Sequence, residues 1–530
     1  MRIAKLSPRS HAALWPDRWL WVFLLILAFG AGFLVAHLGW YHWLGTFGAT
    51  LLENPRSAFD AWRYRVEIPT LTVDLDFASY QQLAARRERA LQTGANLASE
   101  MDAVPATLAF DAVPVDVMLR LPETTVAALS GDRWPFEFTA RAGQSLSDVS
   151  RGTLVPVDEH TRFDQLYLMM LRSADIPVAE HHYVDLVVNG AHWGFYGLET
   201  LPSTEWLVAR GFSSGSVVVF FDQHDYLVAP PASPVGSFAY ARIVVARAAG
   251  GTREAWAQAL TDDPSLAAIR ADVVHNLRAL EQGDAAPSDL FDADVLGRML
   301  AITTFWQGSS ELDWRTICLA YDPATQHFTP IGTAARSVPA LSLPVAFTDD
   351  PIIQRTYVQM LKNLSDRQFL ETMQRTWDAE RLRLADAVVV DSSPALADVL
   401  ADRQSQVRAL LSPSRTLFAR GSAGEGALLV RLDALLPYPV EVLGFDFSER
   451  GFLPLDSAWV TPRMGGSLVD VEDSVVVRAR VTDAPVAIDV RVPLSALPVE
   501  LLGTPDELRV VTRIWGLDNE IAVPMEWGGE

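Results

Sequence analysis

Several groupings in the sequence carry residue types capable of chemistry. Gly211-Phe212-Ser213-Ser214-Gly215 has the G-x-S-x-G spacing of a serine nucleophile, which works only where a strand enters the turn and a helix leaves it. Here a helical pattern at 205–210 precedes it and an apolar, strand-like run at 217–221 follows. The context is inverted, and the spacing predicts a helix-ending turn. Glu180-His181-His182 offers metal-ligand types, but adjacent residues on a strand point to opposite faces, so the two imidazoles do not meet on one ion. Glu311 and Asp313, two residues apart, are carboxylates of the kind that serve as a general base or hold a divalent cation. Cys318 is the single cysteine and sits in the apolar run Ile317-Cys318-Leu319-Ala320. It reads as a buried thiol, and intrachain disulfides and thiolate-rich zinc sites are excluded. Glycine patterns of phosphate-cradling loops are absent.

A chain of 530 residues must distribute such groups over a few domains. It is 49% hydrophobic and 20% charged, a globular composition. With 43 basic and 65 acidic residues the net charge is -22, which repels phosphate backbones and argues against nucleic-acid binding. Lys5 and Lys362 are the only lysines, so chemistry that needs an ammonium side chain has little to draw on.

Residues 19–40 form an apolar run interrupted only by His37, with Trp15, Trp19 and Trp21 at one end and Trp40, Tyr41 and Trp43 at the other. Its length and aromatic flanks suit a transmembrane helix. Arg2, Lys5, Arg9 and Arg18 precede it, which places the N-terminus in the cytoplasm and the body across the inner membrane, periplasmic or extracellular. Gly48-Ala49-Thr50 is a poor small-x-small cleavage site, so an uncleaved signal anchor is expected over 18–44, after a tail at 1–17 and before a linker at 45–65.

Beyond the anchor, alternation predicts strands at 68–75, 106–110, 115–121 and 136–140, and helical spacing predicts helices at 78–91 and 162–173. Asn189-Gly190 between apolar runs at 182–188 and 193–198 is a strong hairpin signal. Helical periodicity returns at 254–260, 265–280, 293–306 and 352–388. Residues 412–426 are turn-rich and read as a linker. Short alternating strands follow, as in a small β-sandwich over 427–530.

With these elements in order, residues 66–411 resemble the spore-coat CotH kinase-like family of atypical protein kinases. The resemblance rests on Val117-Met118-Leu119-Arg120-Leu121, on Trp134-Pro135-Phe136-Glu137-Phe138, and above all on 163–210, with Val184-Asp185-Leu186-Val187-Val188-Asn189-Gly190 and Gly194-Phe195-Tyr196-Gly197-Leu198-Glu199. Asp313-Trp314-Arg315 and Phe328-Thr329-Pro330-Ile331-Gly332 are similar to its closing region. The implied fold class is α+β: a single N-terminal transmembrane helix, a CotH-like atypical kinase fold and a C-terminal small β-sandwich domain.

The resemblance implies phosphotransfer from ATP with Mg or Mn, for which Glu199 and Asp313 are the candidate catalytic residues. Several of the family's positions differ. Pro122-Glu123 stands in place of Lys-Gly, Glu137 in place of an arginine, and Ala334 lies where the family has a metal-binding aspartate. Such changes remove positive charge where a triphosphate would lie. The expectation is a pseudokinase-like binding or scaffolding protein of the bacterial cell envelope, with an envelope protein as partner and without cofactor or metal. The alternative is a divergent secretory-pathway-type kinase acting on an envelope protein, with Arg133 or Arg336 replacing the lysine.

Overall fold

The strongest local signals become a closed barrel. The computed structural model describes residues 68–527 except 98, 111–112, 147–148, 158–163, 223–242, 308–316, 334–349, 385–393, 425, 448–450, 463–467, 472–473, 478–485 and 498–507. Seven strands close on themselves: β1 (Thr70–Asp74), β2 (Val104–Phe110), β3 (Val113–Arg120), β4 (Phe136–Ala140), β5 (Arg151–Pro156), β6 (His181–Val188) and β7 (Ala191–Thr200), in the order β1-β2-β3-β4-β5-β7-β6. Parallel pairing of β1 with β6 makes the closure. Asn189 and Gly190, at φ 49° and 78°, form the β6–β7 turn that the dipeptide predicts. Alternate residues, among them Leu71, Leu108, Leu119, Phe136, Phe138, Leu154, Leu186 and Leu198, fill the interior. Full burial of each such side chain contributes roughly 1.5–3 kcal/mol.

Helix α1 (Phe77–Thr93) begins where the Asp76 carboxylate accepts from the Ser79 backbone N–H at 2.6 Å and ends at Gly94 in the left-handed region. It sets Leu83 and Ala90 into the barrel core.

After the barrel come α2 (Asp164–Ser173), placed between β5 and β6 in the chain, and α3 (Thr204–Ala209). A four-stranded antiparallel sheet follows, built from β8 (Val217–Phe221), β9 (Ile243–Ala246), β10 (Cys318–Asp322) and β11 (His327–Ile331) in the order β9-β8-β10-β11. One face, with Val217, Val219, Leu319 and Tyr321, packs in a core with α2, α5 (Pro264–Gln282), α6 (Ala293–Gln307) and α7 (Pro351–Ser365). On the other face Val218, Cys318 and Ala320 pack with Trp206, Leu207 and Ala249. Burial on both faces explains why β8 is an unbroken apolar run. Helix α4 (Arg253–Asp262) starts at Thr252, whose hydroxyl accepts from the Ala255 N–H. The predicted helix at 352–388 divides into α7 and α8 (Arg367–Leu384) at Asp366, and α9 (Pro394–Leu411) follows.

Two compact units are distinguished: residues 68–377 with 392–530, and residues 1–67 with 378–391, of which only the end of α8 is described.

The C-terminal small β-sandwich is corrected. Strands β12 (Leu417–Gly424), β13 (Ala427–Ala434), β14 (Val440–Asp446), β15 (Phe452–Pro454), β16 (Val460–Pro462), β17 (Leu468–Val471), β18 (Ser474–Val477), β19 (Ala487–Pro493), β20 (Arg509–Ile514) and β21 (Glu520–Trp527) form one ten-stranded curled sheet. Its two halves are joined by parallel pairing of β12 with β21, Ala419 opposite Met525. Alternation identifies strands with one buried face, but it carries no information on whether two sets of strands share an edge. Strand β12 also falls inside 412–426, which the turn-rich composition marks as linker. Its small residues have a packing reason: a Cβ at Gly421 would stand 2.7 Å from Met525 Sδ.

The expected CotH-like atypical kinase fold is overturned as well. The strand residues of the segments carrying the resemblance, 117–120, 136–138, 184–188 and 191–199, are walls of the closed seven-stranded barrel. Segment order is compatible with several strand pairings, and the β1–β6 closure selects one. The transmembrane segment expected at 18–44 lies outside the described residues. Among the described residues no helix is long and apolar enough to cross a membrane.

Candidate functional site

Because barrel strands alternate, the residues between the interior leucines and phenylalanines face outward. The register aligns five of them in one row across neighbouring strands. Arg120 is opposite Glu137, Glu137 opposite Thr153, Thr153 opposite Glu199, and Glu199 opposite His181. An outer row on a barrel is normally solvated, yet all five residues are buried. The cover is the turn Ala249-Gly250-Gly251 and the barrel-side face of the second sheet, which brings Phe220 and Cys318 to the same space.

Arg120 and Glu137 hold this cover in place. Arg120 Nη2 lies 2.7 Å from Glu137 Oε1 and donates to the Gly251 carbonyl at 2.7 Å. The Gly251 N–H returns a bond to Glu137 Oε1 at 3.1 Å. An ion pair taken from water loses hydration, and these backbone bonds offset part of that loss. Two glycines in succession are required here. Gly250 and Gly251 have φ of 78° and 110°, and a Cβ on Gly250 would stand 2.6 Å from Leu201 Cδ1 and 2.8 Å from Glu137 Oε1. Trp256 Nε1 donates to the Gly250 carbonyl at 2.9 Å, fixing the indole against the turn.

Beside the clasp is a cavity of about 150 Å³. Its polar lining includes Glu123, Glu137, Thr153 and Glu199, and its apolar lining includes Leu201, Phe220, Trp256, Ile317 and Cys318. Thr153 is 3% exposed and its Oγ1 has no hydrogen-bond partner, an uncommon state for a buried hydroxyl. Burial, reinforced by the Glu199 charge, pushes the Cys318 thiol up to about 12. It is therefore no thiolate nucleophile, as its apolar flanks predict. Burial, and then the neighbouring His182, draws the His181 imidazole down to about 4, so it is neutral at pH 7. Gly197 makes room for that ring, since a Cβ there would stand 2.5 Å from His181 Nε2.

Glu199 and Glu137, two of the positions singled out by the resemblance, thus converge on one cavity. Asp313, Glu311, Ala334 and Arg336 lie outside the described residues. Arg133 does not line the cavity; it donates to the Val157 carbonyl at 3.2 Å, just past the end of β5 away from Thr153. His181 is buried and His182 exposed, as strand alternation requires. Among the described residues no group of three or more His, Cys, Asp or Glu is arranged to hold a metal ion. In the G-x-S-x-G segment, Ser213 Oγ bonds Ser216 Oγ and Asp322 Oδ1, both at 3.0 Å, between a preceding helix and a following strand. It is a turn.

Thr153, Trp256 and the Gly250-Gly251 pair were not singled out by sequence reasoning. The glycine pair was the available signal, since consecutive glycines mark backbone that must turn or approach another group closely. Thr153 left none: its importance comes from the two strands beside it. Among known proteins no family model matches the chain, and no curated protein matches it either.

Proposed function

We propose that this is a binding or scaffolding protein of the bacterial cell envelope, tethered through residues 18–44 and without phosphotransfer activity. One observation carries the reading. Among the described residues that line the cavity, the charged side chains are the carboxylates of Glu123, Glu137 and Glu199, while the guanidiniums beside it are bonded to backbone or carboxylate: Arg120 to Glu137 and the Gly251 carbonyl, and Arg151 to the Ala249 carbonyl. A triphosphate brings several negative charges and needs cations or metal to meet them. Here it would meet further negative charge in a setting where water screens poorly. Size argues the same way, because sites for small organic ligands generally begin at about 300 Å³.

The test is a thermal-shift titration of the full chain with ATP in the presence of magnesium or manganese. The expected result is an unchanged melting temperature with either metal. Saturable stabilisation by nucleotide plus metal would overturn the reading, since a ligand that binds the folded state raises its stability by mass action.

A further inference from the structure

We propose that the cavity between the barrel wall and the Gly250-Gly251 turn binds a small neutral hydroxyl compound, an alcohol or phenol of about six or seven non-hydrogen atoms. The inference rests on the reading of the protein as a binding protein and names the chemistry of its ligand.

Three observations lead there. The first is a pair of hydroxyls. Thr153 is 3% exposed and Thr200 8%, both line the cavity, and neither Oγ1 has a hydrogen-bond partner. They sit one register position apart on paired strands, since Gly152 is opposite Thr200 and Thr153 opposite Glu199. Thr153 faces out of the barrel, because the next residue, Leu154, fills the interior. Rotation about Cα–Cβ between staggered positions is enough to turn a threonine hydroxyl toward a ligand. Buried polar groups are normally paired, so two unpartnered hydroxyls at one cavity point to a partner from outside the chain. A threonine hydroxyl donates and accepts, and a ligand hydroxyl matches it in both roles.

The second observation is that the charged groups at the cavity are already engaged. Glu137 holds Arg120 and the Gly251 N–H. Arg151, on the barrel strand β5, donates to the Ala249 carbonyl at 3.5 Å. Neither Glu123 nor Glu199 is without a partner. An ionic ligand would give up its hydration to enter among charges that have partners, whereas a neutral hydroxyl loses far less on leaving water.

The third is the rest of the lining. Leu201, Phe220, Trp256 and Ile317 make an apolar wall. The Phe220 and Trp256 rings meet edge to face at 5.4 Å, and the Trp256 N–H is engaged by the Gly250 carbonyl, so the indole offers hydrocarbon surface. Water alone suits this lining poorly. A volume of about 150 Å³ corresponds to about five waters, each needing two to four polar partners. An apolar cavity of about that volume in another protein holds benzene, six heavy atoms. A hydroxyl on a body of that size fits the two kinds of lining together.

The experiment is isothermal titration calorimetry of the full chain with phenol at pH 7 and fixed ionic strength. Parallel titrations use toluene, which lacks the hydroxyl, benzoate, which Arg151 would favour, and benzylammonium, which the carboxylates would favour. The expected result is saturable binding of one phenol per chain, at least tenfold tighter than toluene and tighter than either ion. Thr153→Val keeps the side-chain shape and removes a hydroxyl that has no partner, so it breaks no bond in the folded chain. It is expected to weaken phenol binding at least tenfold and to leave toluene binding unchanged. Thr200→Val carries the same expectation should Thr153→Val fail to fold. Absence of saturable phenol binding, equal affinity for toluene, an unchanged phenol affinity in Thr153→Val, or tighter binding of benzoate or benzylammonium would each overturn the assignment. The nucleotide titration is read separately: stabilisation by ATP overturns the binding-protein reading, whereas a chain that responds to neither ATP nor phenol loses only the ligand named here.

Discussion

Among the described residues, two arginine–glutamate pairs are built in the same way and set in different surroundings. Arg120–Glu137 on the barrel and Arg513–Glu441 on the C-terminal sheet are each directly opposite residues on adjacent antiparallel strands. In the C-terminal pair the guanidinium is about one-third exposed, and Nη2 donates to Glu441 Oε1 at 3.1 Å while Nε donates to Oε2. The pKa of Arg513 is raised, first by the bonds it donates to Glu441, with the Asp518 and Glu520 charges adding to it. In the barrel pair both side chains are at most 10% exposed, and Arg120 reaches across to another element. The first pair joins neighbours within a sheet that water still touches. The second ties a glycine turn to the barrel and forms one wall of a cavity. One cross-strand geometry serves sheet cohesion in one place and cavity construction in the other; both glutamates are buried, and burial of the arginine makes the difference.

Removing the acid from each pair tests that contrast most directly. Glu137→Gln removes the carboxylate bonded to the buried Arg120 and is expected to lower unfolding stability by about 3 kcal/mol. In Glu441→Gln, Arg513 keeps access to water, and the expected loss is about 1 kcal/mol or less. Chemical denaturation measures both, and equal losses would break the comparison.

The buried row also has a pH signature. The folded-state pKa of His181 is depressed from 6.5 to about 4, so between those values the unfolded chain binds the proton that the folded chain refuses. Stability is then complete above pH 6.5 and falls as pH drops toward 4, by on the order of 3 kcal/mol. The measurement is the difference between wild type and His181→Gln in stability against pH; parallel curves across pH 4–6.5 would refute it.

Two glycines sharpen the comparison further, with the smallest expected effects. Gly190 and Gly250 both have φ of 78°, but a Cβ at Gly190 meets nothing within 4 Å while one at Gly250 meets Leu201 and Glu137. Gly190→Ala should cost about 1 kcal/mol, the strain of the left-handed backbone. Gly250→Ala adds steric overlap and should cost about 2 kcal/mol or more. Similar losses from the two would mean that the turn can yield around the clasp.

Most local structure was legible. Asn189-Gly190 specified a hairpin because only residues that tolerate positive φ make so short a turn. The inverted surroundings of Ser213 removed a hydrolase reading, and the flanks of Cys318 announced a buried thiol. Where local pattern was silent, the expectations failed. The spacing at 352–388 ran on as one helix because Asp366 interrupts the backbone without disturbing the apolar stripe. Small residues at 417–424 looked like a linker because Met525, whose side chain fills the space over Gly421, lies about a hundred residues away.

Most of the secondary elements, the acidic balance and the scarcity of lysine follow from the chain alone, since each depends on residues close in the chain or on simple counts. That Arg120, Glu137, Thr153, Glu199 and His181 form a single row comes from strand pairing, because register is a property of pairs of segments far apart in sequence. Burial of that row was a tertiary decision too. Outward-facing polar residues on a barrel are ordinarily wet, and here a glycine turn more than a hundred residues from Glu137 closes over them.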